Sequence, residues 1–270
     1  NGMQYEFGAV KEFVTLSSSD KPEDPSTPGS SSFVAKPFSV SATKTVIFSP
    51  GNLQYHPANN KWRFAPNQTD YIGDANANIS ATYNGWIDLF GWGTGDNPTN
   101  ASEYFNDYQT FVGWGSNQIG SYAPNTWRTL TYEEWKYIIN ERSNASNLIG
   151  VAQVNGVNGL ILLPDAWQCP NGVTFKSGFH SSYGMEHYAT NQSFSASEWS
   201  KLEASGAVFL RATGYRYGSH VSDVQDYGRY WSATEGNFNC AYFLGFSSLG
   251  AGMDHRGGRC EGFSVRLVQD

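Results

Sequence analysis

The sequence predicts an α+β chain of short antiparallel strands, two helices and long loops, and three observations carry that prediction. Aromatic residues reach 16% and charged residues only 15% of the 270 positions, with Gly, Asn, Ser and Thr abundant. This is the profile of a loop-rich, β-leaning extracellular protein. Thr131 followed three residues later by Glu134, ahead of an apolar face, is a helix-start signature, and a Ser start precedes a second apolar face that Gly206 ends. The remaining apolar runs are short, alternate in polarity and are bounded by Gly, Pro or Asn turns.

Residues 1–32 read as an N-terminal tail and tether. The piece "MQYEFGAVKEFVTL" alternates well enough to form a strand that docks on the domain after it. Ser17 to Ser32, "SSSDKPEDPSTPGSSS", has no large apolar side chain and cannot bury enough surface to offset its ordering entropy. As a flexible linker it would hold the following domain about 20 Å from an anchor. Residues 33–270 are expected to form one domain, a length sufficient for a substantial core.

That domain opens on a short β meander. Val46 and Phe48, then Leu53 and Tyr55, then Trp62 and Phe64 alternate around turns at Pro50-Gly51 and Asn59-Asn60. The stretch from Asp70 to Asn125 has few regular periods but contains an echo, "DLFGWGTG" at Asp88 and "TFVGWGSN" at Thr110. Thr131 with Glu134 caps a first helix, whose apolar face is Trp135, Ile138 and Ile139. "GLILLPDAW" reads as a buried strand ending at Pro164. Ser195 or Ser197 starts a second helix, Trp199 and Leu202 face inward, and Gly206 stops it. Strands follow at "AVFLRATGYRY", around Trp231, at "AYFLGFS" and at "GFSVRLVQD", with "GAGMDHRGGR" as a hairpin.

The strings "FSPGNLQYHPANNKWRF", "GWIDLFGWGTG", "LTYEEWKYIINER", "GLILLPDAW", "YWSATE" and "GFSVRLVQD" together resemble a group of secreted or lipid-anchored surface proteins of Bacteroides-type bacteria. The C-terminal part of those proteins resembles the Fibrobacter succinogenes major paralogous domain, which is similar to the C-type lectin-like and sulfatase-modifying-factor folds. The resemblance spans about Phe38 to Asp270. It implies a C-type lectin-like domain in which two helices flank a small, irregular antiparallel sheet with long loops. It also implies a cell-surface or secreted location, with membrane anchoring through a lipidated segment removed from the N-terminus. Adhesion or carbohydrate binding is the function it suggests, although fold alone does not fix activity.

The net charge of −7 and the lack of any Lys/Arg block argue against nucleic acid as a partner, because phosphate binding needs a basic face. Three cysteines, Cys169, Cys240 and Cys260, allow at most one disulfide. Cys240 and Cys260, each at the start of an expected strand, are the better pair, with three reduced thiols as the alternative. The Glu-Pro-Asn or Gln-Pro-Asp and Trp-Asn-Asp motifs of calcium-dependent lectins are missing, and Trp231-Ser232-Ala233 stands where the second would be. No HExxH or G-x-S-x-G motif occurs, so a catalytic role is not expected.

No cofactor is expected beyond a possible structural calcium. Asp70, Asp74, Asn76, Asn78 and Asp88 supply hard oxygens at a spacing that starts like an EF-hand loop, but Ile79 replaces the turn glycine and Gly85 the bidentate Glu. The competing reading is that these side chains hold turns by bonding their own backbone.

A ligand surface is expected at one end of the sheet. The stretch "GYRYGSHVSDVQDYGR" offers Tyr215, Tyr217, His220, Asp223 and Asp226, the loop after Glu235 offers Asn237 and Asn239, and the last hairpin offers Asp254, His255 and Arg256. Planar rings beside hydrogen-bonding groups suit a glycan or a surface protein. An envelope assembly role, with the Gly-Trp-Gly segments as contacts, is the alternative.

Overall fold

The computed structural model describes residues 33–270; the expected tail and tether, residues 1–32, lie outside them. In chain order the strands are β1 (Phe38–Ser39), β2 (Thr45–Phe48), β3 (Leu53–His56), β4 (Lys61–Phe64), β5 (Arg128–Thr129), β6 (Ile149–Val154), β7 (Val157–Leu162), β8 (Ser193–Phe194), β9 (Val208–Arg211) and β10 (Tyr215–Tyr217). They continue with β11 (His220–Ser222), β12 (Gly228–Glu235), β13 (Cys240–Ser247), β14 (Gly250–Gly258) and β15 (Leu267–Gln269). The α-helices are α1 (Tyr132–Lys136), α2 (Glu186–Asn191) and α3 (Ala196–Ala204).

The mixed α+β class holds, but the single irregular sheet resolves into five small ones among the described residues, ordered β1-β2-β15-β5, β8-β6-β7-β9, β12-β13-β14, β3-β4 and β10-β11. All pairings are antiparallel except β6 with β8. Strand β15 joins distant parts of the chain, since Val268 pairs with Phe48 on one side and with Arg128 on the other. Arg128 also makes paired hydrogen bonds to Glu134 and contacts Asp270 at 2.7 Å.

Alternation along the strands separates three apolar clusters. In β6, β7 and β9, Val151, Leu160, Leu162, Val208 and Leu210 face one cluster while Ala152, Val154, Ile161 and Phe209 face another. Successive side chains of a strand point to opposite faces, so one sheet serves two cores. The third cluster takes most of the buried tryptophans: Trp62, Trp92, Trp114, Trp127 and Trp231. Trp231 stacks on Phe263 at 4.2 Å and donates its indole N–H to the Phe90 carbonyl at 2.7 Å. It is a core anchor, as expected. Trp86 and Trp167 are only half-buried.

The expected capping box forms, and the second helix carries one as well. Thr131 accepts from the Glu134 N–H while Glu134 accepts from the Thr131 N–H, and Ser195 with Glu198 repeats the arrangement. Thr131→Ala removes one of these bonds from an exposed cap and should lower the unfolding free energy by about 1 kcal/mol in urea titration; an unchanged midpoint would refute the assignment. The first helix widens after Lys136 into a π turn, Tyr137–Glu141, where the Arg142 N–H reaches the Tyr137 carbonyl at 2.9 Å. Helix α2 is an addition to the two expected helices; it has no side-chain cap.

Several expectations are corrected. The meander splits into two separate pairs: β1 pairs with β2, which also joins β15, and β3 pairs with β4, turning through Asn60 at φ 48°. The run Ala207 to Tyr217 is two strands, broken at Gly214, whose φ of 68° and closeness to the Ser222 carbonyl admit no side chain. Residues 250–258 are not a hairpin loop but the strand β14, with Ser247 pairing Gly250 across the turn. Of "GFSVRLVQD" only Leu267–Gln269 is a strand, while Phe263 and Ser264 make isolated bridges to Phe90 and Tyr230. Cys240 and Cys260 are not bridged, and Cys169 is also free. Burial pushes the Cys260 thiol up to about 11.

The two Gly-Trp-Gly segments lie side by side, in parallel. The Val112 N–H donates to the Gly93 carbonyl and the Gly95 N–H to the Val112 carbonyl, both at 3.0 Å. Trp92, Phe111 and Trp114 follow one another with ring centroids 5.0 and 5.7 Å apart.

Candidate functional site

The β12-β13-β14 sheet forms a groove of about 390 Å³ at its Ser248-Leu249 end. Its floor is glycine. Gly228 faces Phe246 across β12 and β13, and Gly245 faces Gly252 across β13 and β14. A Cβ at Gly228 would fall within the Phe246 ring, and one at Gly245 would lie 2.7 Å from the His255 imidazole. The rings therefore lie flat over bare backbone, a cross-strand aromatic covering each glycine. Tyr227, Phe243, Phe246 and Leu249 supply the apolar wall, and Arg229 and His255 the polar one.

Arg229 is held from two sides. It donates to Asp223 at 2.8 Å, and its guanidinium stands 4.0 Å from the centroid of the Tyr215 ring. Contact with a ring face offsets part of the cost of desolvating a cation. Only one of its terminal nitrogens bonds a protein group among the described residues, which leaves N–H donors toward the groove. His255 stacks on Phe243 at 5.6 Å, and no hydrogen bond engages its ring nitrogens among the described residues.

The loop that carries Asp223, Asp226 and Tyr227 is set by strained backbone, with Asp223 at φ 58° and Gln225 at φ 70°. Asn158 of β7 holds it there, donating its side-chain amide to the Gln225 carbonyl at 2.9 Å and its backbone N–H to the Gln225 Oε1 at 2.8 Å. Tyr183 donates to the Asp226 carboxylate, a bond that raises the pKa of its phenol. Tyr188 donates to the Asp226 carbonyl at 2.7 Å.

The ten predicted ligand residues thus do not share one surface. His255 lines the groove, Asp223 and Tyr215 reach it through Arg229, and Asp226 supports it through Tyr183, whose ring is 5.7 Å from that of Tyr227. Asp254 and Arg256 lie on the opposite face of β14, because alternate residues of a strand point apart. There Asp254 accepts from Tyr132 at 3.4 Å and Arg256 lies 5.8 Å from the Tyr242 ring. Tyr217 and His220, paired across the β10-β11 hairpin, and Asn237 and Asn239 belong to neither.

Asn237 and Asn239 occupy the turn at the far end of β13, where Phe238 is 94% exposed. Arg259 pins that turn: it donates to Glu235 and to the Cys240 carbonyl, and lies 4.7 Å from the Trp92 ring centroid. Phe243 and the glycine floor were not among the expected site residues, whereas Tyr227 and Arg229 belong to the Tyr-rich stretch that was. The signal for the floor was the placement of Gly228 and Gly245 inside strands whose other residues are large, which marks a close approach.

The Asp70 to Asp88 segment is a hydrogen-bonded turn. Asp70 accepts from the Asn67 N–H at 2.9 Å, and Asn78 donates to the Ala75 carbonyl. Asp88 accepts from the Ile72 N–H and the Asn76 amide at 2.9 and 2.8 Å, while the Asn76 oxygen accepts from the N–H groups of Asp88 and Leu89. Asp70, Asp74 and Asp88 do not gather into a metal cluster among the described residues. The oxygens of Asp70, Asn76 and Asp88 accept from N–H groups of the turn, the arrangement that the backbone-bonding reading describes. Burial raises the Asp88 carboxyl to about 6.

Fold and groove together define an α+β protein, mostly antiparallel, with an aromatic and guanidinium-lined groove on glycine-floored strands. No protein-family model, no curated protein and no solved structure matches the chain. Among the described residues no helix is long and apolar enough to cross a membrane.

Proposed function

We propose that this chain is a non-catalytic binding or adhesion module of the bacterial cell surface, with a C-type lectin-like topology, and that it recognises a glycan in the groove of the β12-β13-β14 sheet. The observation that carries the reading is the pairing of flat rings over glycine with the free N–H donors of Arg229 and His255. A sugar presents apolar C–H faces to rings and oxygen acceptors to donors, and pockets of about 300–1,000 Å³ are the usual size for such ligands. The pairing of β2 with β15, and two capped helices beside small sheets, support the topology.

An assembly role in the envelope is the second reading. Its support is the exposure of Tyr104, Phe105, Tyr217 and Phe238, large rings of the kind that anchor protein interfaces.

The test is a glycan array on the full chain beside Tyr227→Ala and His255→Ala, with and without calcium. Selective binding, independent of calcium and weakened at least 10-fold in both variants, is the expected result. Binding that persists in both variants would refute the groove as the site, and binding to no glycan would turn the assignment toward protein contacts.

A further inference from the structure

A second cavity, of about 320 Å³, lies beside the paired Gly-Trp-Gly segments, and its lining differs in charge from the groove. Its floor includes Trp92, Gly93 and Thr94. That floor is rigid: a Cβ at Gly93 would lie 2.7 Å from the Phe111 Cα, and Trp92 donates its indole N–H to the Ser232 carbonyl at 3.0 Å.

The walls come from residues 96–100 and 106–110, and a set of internal bonds fixes them together. Asn100 donates to the Asp107 carbonyl at 3.3 Å, and the Tyr108 hydroxyl donates to the carbonyls of Asn100 and Ser102. Four lining side chains take no part in that scaffold. Asp96, Asn97, Asn106 and Asp107 line the cavity, and among the described residues their side-chain oxygens and amides bond no other protein group. All four are solvent-exposed at the mouth of the cavity, so their donors and acceptors can exchange water for a ligand without breaking the loop's own bonds.

The charge of the cavity decides what it can take. Two carboxylates line it and no Lys or Arg does. The nearby cation, Arg259, is buried, and its N–H groups are committed to Glu235 and to the carbonyls of Cys240 and Tyr108. An anionic ligand would meet like charge with no compensating cation, whereas hydroxyls can pair with both amides and carboxylates, and an ammonium gains from the carboxylates.

We infer that this cavity is a second saccharide-binding site, selective for neutral and amino sugars and closed to acidic ones. It is built independently of the groove and does not depend on what the groove binds.

The experiment is calorimetric titration of the full chain at 0.15 M salt with three probes: a glucosamine oligomer, its N-acetylated neutral counterpart and an oligogalacturonate. The first two should bind, the glucosamine oligomer more tightly, and the third should not. The double variant Asn97→Ala/Asp107→Asn should weaken both at least 10-fold, while Asp254→Asn, a carboxylate removed elsewhere, should change neither. The inference is overturned by binding of none of the probes, by equal binding of all three, by binding unaffected in the double variant, or by an equal loss in Asp254→Asn, which would mark general attraction to an acidic protein.

Discussion

Gly115→Ala should destabilise the protein by about 3 kcal/mol, the upper end of what overpacking costs. Gly115 sits in the single turn Trp114–Ser116, and a Cβ there would fall on the Trp127 carbonyl oxygen. The obstacle is backbone, and it is locked: the Gly115 carbonyl accepts from the Asn125 N–H at 2.7 Å, and Trp114 and Trp127 are both buried. Neither partner can give way by a change of rotamer.

Gly228→Ala is the instructive comparison. There the obstacle is the Phe246 ring, the far end of a side chain, so the cost should be smaller, about 2 kcal/mol, and the groove should lose its shape. Urea unfolding measures both, with a lowered midpoint at unchanged slope as the expected signature. A Gly115→Ala protein as stable as the parent would show that the contact between the second Gly-Trp-Gly segment and Trp127 is not tight. Glycan binding in the groove should survive Gly115→Ala under folding conditions and fail in Gly228→Ala.

The second large effect is a dependence of stability on pH through Asp88. Its carboxyl is buried, and removal from water is the dominant cause of a folded-state pKa near 6, against an ordinary 3.8; hydrogen bonds from Asn76 and Ile72 and the charge of Arg211 only partly oppose it. The fold therefore favours the protonated form. This contribution is fully present below the unfolded pKa and is lost as pH rises through about 6. At 1.36 kcal/mol per unit, the loss between pH 4 and pH 7 amounts to about 2 kcal/mol from this group.

Asp88→Asn removes the titration. Urea unfolding from pH 4 to 7 should show the parent losing this increment relative to the variant as pH rises, even though the variant is the less stable at pH 4, where its amide presents donors toward the Ile72 N–H. Parallel pH profiles for the two proteins would refute a raised Asp88. The nearby Tyr230 hydroxyl, which donates to the Arg211 carbonyl and accepts from Asn52, titrates far above this window: burial raises it to about 12.

The groove shows how far local pattern reaches. Alternation predicts that Tyr242, Leu244 and Phe246 share a strand face, and Leu244 and Phe246 enter one cluster with Tyr242 packed against it while Phe243 enters another. Yet the same kind of reading puts Asp254, His255 and Arg256 together as neighbours in a loop. As members of a strand they alternate, and only His255 reaches the groove. One change of local conformation separates three residues that are adjacent in sequence.

The elements legible without a structure are those whose signals are local. The first helix start was readable because a capping box needs only residues three apart, the second from a Ser start and a Gly stop, and Trp231 was readable as a core anchor from its apolar strand. The Asn155-Gly156 turn between β6 and β7, with φ values of 47° and 81°, is an equally local signal, but neither it nor the strand Ile149–Val154 before it was among the expected elements. Helix α2 offered no cap and so no signal.

Long-range packing set the rest. Whether β2 pairs with its neighbour β3 or with β15, more than two hundred residues away, depends on which apolar faces can be buried together, and no short window contains that information. The same holds for the binding surface: Arg229, His255 and the rings over Gly228 and Gly245 converge because long-range strand pairing stacks them, whereas sequence spacing specifies only which residues are near one another along the chain.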